Sequence, residues 1–220
     1  MPSNEEQLAV SALIRSLPCP CIVELGAHTG EDEQWLRGAA ADPGSVHYVM
    51  IEPDPRNCQC ILERGATHRT RRLIIGAVAE SSGFRRFHFS VNRNNGSRTS
   101  GSLRMPTGHL QHFPEIEFPF QMVGTVQTYT LDEIFEREWL TKIDLLWVDI
   151  QGAENLMIKG GPVALSHTRY LFMEVEKVEL YQGEGLRDDL VNMLPGWEVV
   201  NEWEFNILMR NTAFVERGPR

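Results

Sequence analysis

The sequence predicts an α/β protein built around a mostly parallel sheet with helices on both faces. Two observations carry that expectation. Short apolar runs rich in β-branched residues recur along the 220-residue chain, and amphipathic helical patterns separate them. The runs are apolar throughout instead of alternating, as strands buried on both faces are.

The predicted strands are CIVEL (21–25), VHYVMIE (46–52), RLIIGAV (72–78), IDLLWVDI (143–150) and RYLFMEVE (169–176). Helical patterns follow as EDEQWLRGAA, PRNCQCILERG, LDEIFEREWL and AENLMIKG, and MPSNEEQLAVSALIRSL opens the chain as a short amphipathic helix. After the helical GLRDDLVNML, the runs WEVVNEWE and FNILMRN lie too close together for a helical crossover. They are expected to pair antiparallel at one sheet edge. GFRRFHFS (83–90) alternates like an exposed strand, whereas 91–119 shows no clear period and is rich in Asn, Gly, Ser and Pro. A segment of that length reads as a lid, a substrate loop or a surface insertion on one single domain spanning 1–220.

Composition limits the function classes. Thirty acidic against 21 basic side chains leave a net charge of -9, a poor match to a phosphate backbone, so nucleic acid is not an expected partner. The basic stretch His68-Arg69-Thr70-Arg71-Arg72 reads as a solvated loop. No apolar run reaches the roughly 20 residues that cross a bilayer, and the first residues lack an export signal, so a cytoplasmic location without membrane contact is expected. Nothing in the sequence sets an oligomeric state. The four cysteines form two C-x-C pairs, Cys19/Cys21 and Cys58/Cys60, whose spacing suits buried or incidental thiols and not a zinc site.

The chemistry concentrates at strand ends. After the first strand the loop Gly26-Ala27-His28-Thr29-Gly30 places His28 where the dinucleotide fingerprint has its central glycine, which hinders close approach of a diphosphate. The next helix opens with Glu31, Asp32 and Glu33, which suit a helix dipole but repel a phosphate. S-adenosylmethionine escapes both objections, because it carries a sulfonium and an ammonium and no phosphate. Glu24 would then orient the ammonium side, and Gly26 and Gly30 would allow the turn beneath the methionine portion. Glu52 ends the second strand, 22 residues beyond Gly30, where a carboxylate can accept both ribose hydroxyl protons. Asp149 sits near the end of an apolar strand, where a charge needs a partner; it could bind cofactor, accept a proton or help hold a cation.

Taken together, VELGAHTGE, IEPDP, GAVAESSG, TLDEIF, DLLWVDIQGAENLMIKG and EVEKVELYQG resemble the FkbM-type methyltransferases, over about residues 20–185. The most specific part is the hydrophobic-Asp-[IV]-x-Gly-Ala-Glu stretch, followed by a strand ending in Glu and a nearby Tyr. The resemblance implies a doubly wound, Rossmann-like class I methyltransferase fold with a mostly parallel seven-stranded sheet, an antiparallel edge strand and a lid-like insertion. It also implies methyl transfer from S-adenosylmethionine, typically to oxygen, leaving S-adenosylhomocysteine. By position, Glu24, Gly26, Ala27, His28 and Gly30 match the first cofactor loop, Glu52 the ribose acid, and Ala77 and Val78 the segment near the adenine. Asp149 matches the family's aspartate, Glu174, Tyr181 and Ser102 are expected to face the substrate, and Ser100 and Ser102 resemble a serine-containing stretch before a lid-like region. Two departures stand out: the family often has Asp where Glu24 stands, and commonly Lys where Trp147 stands.

Methyl transfer to a hydroxyl needs alignment, exclusion of water and a base. Asp149 is the first candidate base, Glu174 the second and His28 the third; His109 and His112, in the lid-like segment, could swing over the substrate but are expected at its surface. Oxygen ligands from Asp149, Glu174 or Glu176 could hold Mg²⁺, although the expectation is a metal-free site. The acceptor is expected to be a small molecule such as a sugar or secondary metabolite. The competing readings are an NAD-dependent oxidoreductase, which the loop opposes, and a non-catalytic binding protein that keeps the fold.

Overall fold

A computed structural model of the chain describes residues 2–65 and 70–218. Twelve strands occur among these residues: β1 Cys21–Leu25, β2 His47–Glu52, β3 Arg71–Ile75, β4 Ala77–Val78, β5 Gly83–His88, β6 Val91–Asn92, β7 Ile116–Glu117, β8 Val123–Tyr129, β9 Ile143–Val148, β10 Thr168–Glu174, β11 Trp197–Glu202 and β12 Asn206–Asn211. The helices are α1 Asn4–Arg15, α2 Asp32–Gly38, α3 Pro55–Glu63, α4 His109–His112, α5 Leu131–Arg137, α6 Glu154–Lys159, α7 Pro162–Ser166 and α8 Arg187–Asn192.

Seven strands form the main sheet in the order β3-β2-β1-β9-β10-β12-β11. The first five run parallel, and β12 pairs antiparallel with both β10 and β11. The strand order reverses between β2 and β9 around β1, which opens a crevice beyond the carboxyl ends of these strands. Because successive side chains point to opposite faces, each apolar strand feeds two cores. Val23, Leu25, Leu146 and Val148 pack towards residues of α5, α6 and α8, while Ile22, Tyr48, Met50 and Leu145 pack towards α1, α2 and α3.

Helix starts follow local chemistry. In α1, Ser3 and Glu6 form a capping box. In IEPDP, Glu52 ends β2, Asp54 caps α3 through the Arg56 N–H, and Pro55 takes the first helical position.

The structure differs from the sequence reading at four places. RLIIGAV is not one strand: it breaks at Gly76, and the second half, β4, leaves the main sheet to join β8 and β5. A side chain at Gly76 would come within 2.8 Å of the Gln127 carbonyl, so the crossing of the two sheets depends on its absence. VGTVQTY, which the sequence reading passed over, forms the middle strand of this small sheet. The 91–119 segment is also not structureless: it contains β6, β7 and α4, and several of its residues line the crevice. Within the basic stretch, His68 and Arg69 lie outside the described residues. Arg71 is not solvated, because its guanidinium is buried against Glu33 at 2.7 Å.

Candidate active site

The crevice holds a cavity of ≈ 310 Å³, within the range that small ligands fill. Of the residues singled out from sequence, Gly26, His28, Glu52, Ala77, Val78, Asp149 and Glu174 line it. Glu24, Ala27, Gly30, Ser102 and Tyr181 stand behind its wall.

The floor is where two turns meet. The backbone N–H groups of Gly26 and Ala27 both donate to the Ile51 carbonyl, at 2.9 and 3.1 Å. A Cβ on Gly26, whose φ is +84°, would stand 1.8 Å from the Asp149 carbonyl oxygen. Gly26 therefore lets the β1 and β9 turns touch.

Glu52 is 4% exposed and is held by three donors. His28 N–H donates to Oε2 at 2.8 Å; Asp54 N–H at 2.8 Å and the Asn57 amide at 3.3 Å donate to Oε1. Burial pushes its pKa up to about 7, against the lowering effect of those donors. The Asn57 side-chain carbonyl oxygen, buried on the same wall, has no hydrogen-bond partner among the described residues. His28 has a left-handed backbone (φ +46°), and its ring meets Glu31 at 3.2 Å.

Glu24 is placed differently from its expected role facing the ligand. It falls on the α1–α3 side of the pleat, is 1% exposed, and accepts from the Tyr48 hydroxyl at 2.9 Å. Burial, reinforced by the charge of Asp32, raises its pKa well above the usual carboxylate range. Asp32 itself lines the cavity.

At the other end of the cavity Asp149 and Glu174 meet through one amide. Gln151 Nε2 donates to Asp149 Oδ1 and to Glu174 Oε2, each at 2.7 Å. Burial, then the negative charge of Asp149, raises Glu174 well above the usual range, and Glu176 alongside is pushed up to about 7 by burial. Tyr181 and Ser102, read from sequence as substrate-facing, instead hold Gln151. The Tyr181 hydroxyl lies 2.9 Å from both Gln151 Oε1 and the Ser100 carbonyl, and Ser102 Oγ donates to the Gln151 carbonyl at 2.6 Å. Tyr181 is 1% exposed and Ser102 fully buried.

Sequence reasoning missed several wall residues. His109 is not at the surface: it is 2% exposed, lines the cavity, packs against Phe113, Phe118 and Tyr181, and burial lowers its pKa to about 4. Asn57, Arg98 and Gln151 were also passed over. Gln151 lies inside the most distinctive motif, which was its available signal; Arg98 sits in a segment without periodicity and had none, and the place of His109 in that segment was its one signal. Among the described residues no group of three or more His, Cys, Asp or Glu side chains is arranged to hold a metal ion, and no helix is long and apolar enough to cross a membrane.

Comparison with known proteins agrees with this architecture. The chain is 31% identical over 201 residues to the 2-O-methyltransferase NoeI of Sinorhizobium fredii (strain NBRC 101917 / NGR234), covering 89% of this chain and 81% of that protein. The crystal structure of the FkbM methyltransferase from Methylobacillus flagellatus KT superposes with a TM-score of 0.55 at 18% identity. That match covers 87% of this chain and 43% of the other, so the chain spans less than half the length of that protein. The Methyltransferase FkbM domain model matches residues 24–207. With a family model over most of its length and a named relative above 30% identity, the chain belongs to the FkbM methyltransferases.

Proposed function

We propose that the chain binds S-adenosylmethionine in this cavity and transfers a methyl group to a hydroxyl oxygen of a small molecule, such as a sugar or secondary metabolite. The observation that carries this reading is the charge of the wall. Glu31, Asp32, Glu52, Asp149, Glu174 and Glu176 face a cavity at the sheet's switch point, with Arg98 the one Arg or Lys on the wall among the described residues. Such a wall favours a cationic ligand and disfavours a diphosphate. The relative named a 2-O-methyltransferase supports oxygen as the acceptor atom.

The residues present fit the cofactor. Glu52 Oε2 and the unpartnered Asn57 Oδ1 provide two acceptors for ribose hydroxyls. Ala77 and Val78 offer an apolar surface for the base, and Glu31 and Asp32 offer negative charge for an ammonium. When bound, S-adenosylmethionine supplies a methyl carbon made electrophilic by its sulfonium. Asp149, exposed to the cavity, takes the hydroxyl proton as the oxygen attacks, and Gln151 holds its carboxylate in place. Phe87, Leu103, Phe113 and Ile116 add apolar surface to the cavity wall beside the acids.

Calorimetric titration tests the reading. Wild type is expected to bind S-adenosylmethionine and S-adenosylhomocysteine, and Glu52→Ala is expected to lose about 2–3 kcal/mol of affinity for both. No heat of binding with wild type would reject the reading.

A further inference from the structure

The Asp149–Glu174 pair has an arrangement whose consequence extends beyond acting as a base. Two carboxyl oxygens each lie 2.7 Å from one amide nitrogen, so they are close neighbours. Among the described residues neither Asp149, Glu174 nor Glu176 forms an ion pair. The charges that raise Glu174 come from acids: Asp149, Glu154 from α6 and Glu176 on the same strand's extension, while Asp149 in turn acts on Tyr181 beyond β10 and on Asp32 across the cavity from α2. Of the cations in 91–119, Arg104 is bound to the Gln182 carbonyl and the Asn155 amide oxygen, and Arg98, on the cavity wall, donates to Cys60 Sγ. His109, against Tyr181, is neutral near pH 7. A like charge this close, with no ion-paired cation among the described residues, disfavours the ionised form of Glu174 and holds it well above the usual carboxylate range.

Gln151 is built to hold this arrangement. Its left-handed backbone (φ +53°) and the Ser102 hydroxyl on its carbonyl set the turn, and the Tyr181 hydroxyl on Oε1 leaves Nε2 facing the acids. An amide turned the other way would set its oxygen against both carboxyls.

We propose that Gln151 binds Asp149 and Glu174 into one acid pair that holds a single proton in the free protein and releases it when a sulfonium enters the cavity. This rests on the S-adenosylmethionine reading above. The proton leaves to water through the cavity, where Asp149 is exposed. The pair is then fully ionised next to the acceptor. As the oxygen–carbon bond forms and the carbon–sulfur bond breaks, the sulfur keeps the bonding electron pair and becomes a neutral thioether. The acceptor's hydroxyl proton passes to the acid pair, which returns to its singly protonated form. Cofactor binding thus arms the base, and product formation disarms it. In this scheme Gln151 is a positioning residue.

The test is proton counting by calorimetry on the full chain, near pH 7, in two buffers of different ionisation enthalpy. The probes are S-adenosylmethionine and S-adenosylhomocysteine, which differ in the sulfonium charge and its methyl group. Wild type is expected to release about one proton more with the first than with the second, and ribose contacts common to both cancel. Glu174→Gln is expected to bind both ligands with no difference in proton number. Gln151→Asn, whose side chain tolerates a left-handed backbone, is expected to fold, to bind, and to shift the pH at which the difference is half-maximal. Equal proton numbers for the two ligands in wild type would overturn the proposal and leave the cofactor reading standing, as would a difference that persists in Glu174→Gln. Absence of S-adenosylmethionine binding to wild type overturns both.

Discussion

Glu154, the glutamate of the DIQGAE stretch, shows what burial does to a single carboxyl. It is 4% exposed and accepts from the Ile150 N–H at 3.2 Å. Burial first, then the charge of Asp149, pushes its pKa from 4.5 up to about 8. Below the unfolded value both states carry the proton and the group is neutral in effect. As pH rises from 4.5 to about 8, the unfolded chain gives up the proton more readily, so stability is lost across that window. Glu154→Gln, which keeps an oxygen for the Ile150 N–H, is expected to gain Tm over wild type at about pH 9 and little at about pH 5. An equal Tm difference at both pH values would rule this out. The site acids differ in how legible they were. Glu52 and Asp149 could be picked out because each is a charge terminating an apolar strand. Glu24 looks equivalent in sequence, yet its carboxyl ends on the far side of the pleat beneath Tyr48. The burial of His109 gave no signal because nothing local causes it; Phe113, Phe118 and Tyr181 do.

At the scale of elements, β9 joins fold to site. Its residues are buried along its whole length, and Trp147, one register position from the cavity end, belongs to both. Its ring stacks on Phe172 at 3.9 Å and meets Trp35 edge-on at 5.5 Å. Trp147→Ala is expected to cost about 3–5 kcal/mol, measured by urea unfolding, because it removes a buried aromatic and both ring contacts. A loss under about 1 kcal/mol would mean that the ring is only cavity lining. The strand–helix alternation was readable because periodicity is local, and the antiparallel β11–β12 edge because its connection is short. The break of RLIIGAV and the strand VGTVQTY were not, because β4 and β8 pair across about 50 residues of chain.

Over the whole molecule, a net charge of -9 and an acid-lined cavity act in the same direction. They attract a cationic ligand through a field that salt screens. Raising ionic strength from about 0.05 to 0.5 M is therefore expected to weaken S-adenosylmethionine binding a few-fold more than binding of the thioether product, by titration calorimetry. Equal salt dependence would mean that the field does not reach the sulfonium. The sequence by itself determined the fold class, the antiparallel edge and the acids that stand at the strand ends, since apolar period and strand ends are properties of short stretches. Only the tertiary structure decided which of those acids face the cavity and which lie behind it, that residues of 91–119 line the same cavity, and that Gln151 joins Asp149 to Glu174. The physical reason is that a side chain's burial and partners come from contacts distant in sequence. Ser102 on Gln151 and Tyr181 on Ser100 are examples, and no local pattern records them.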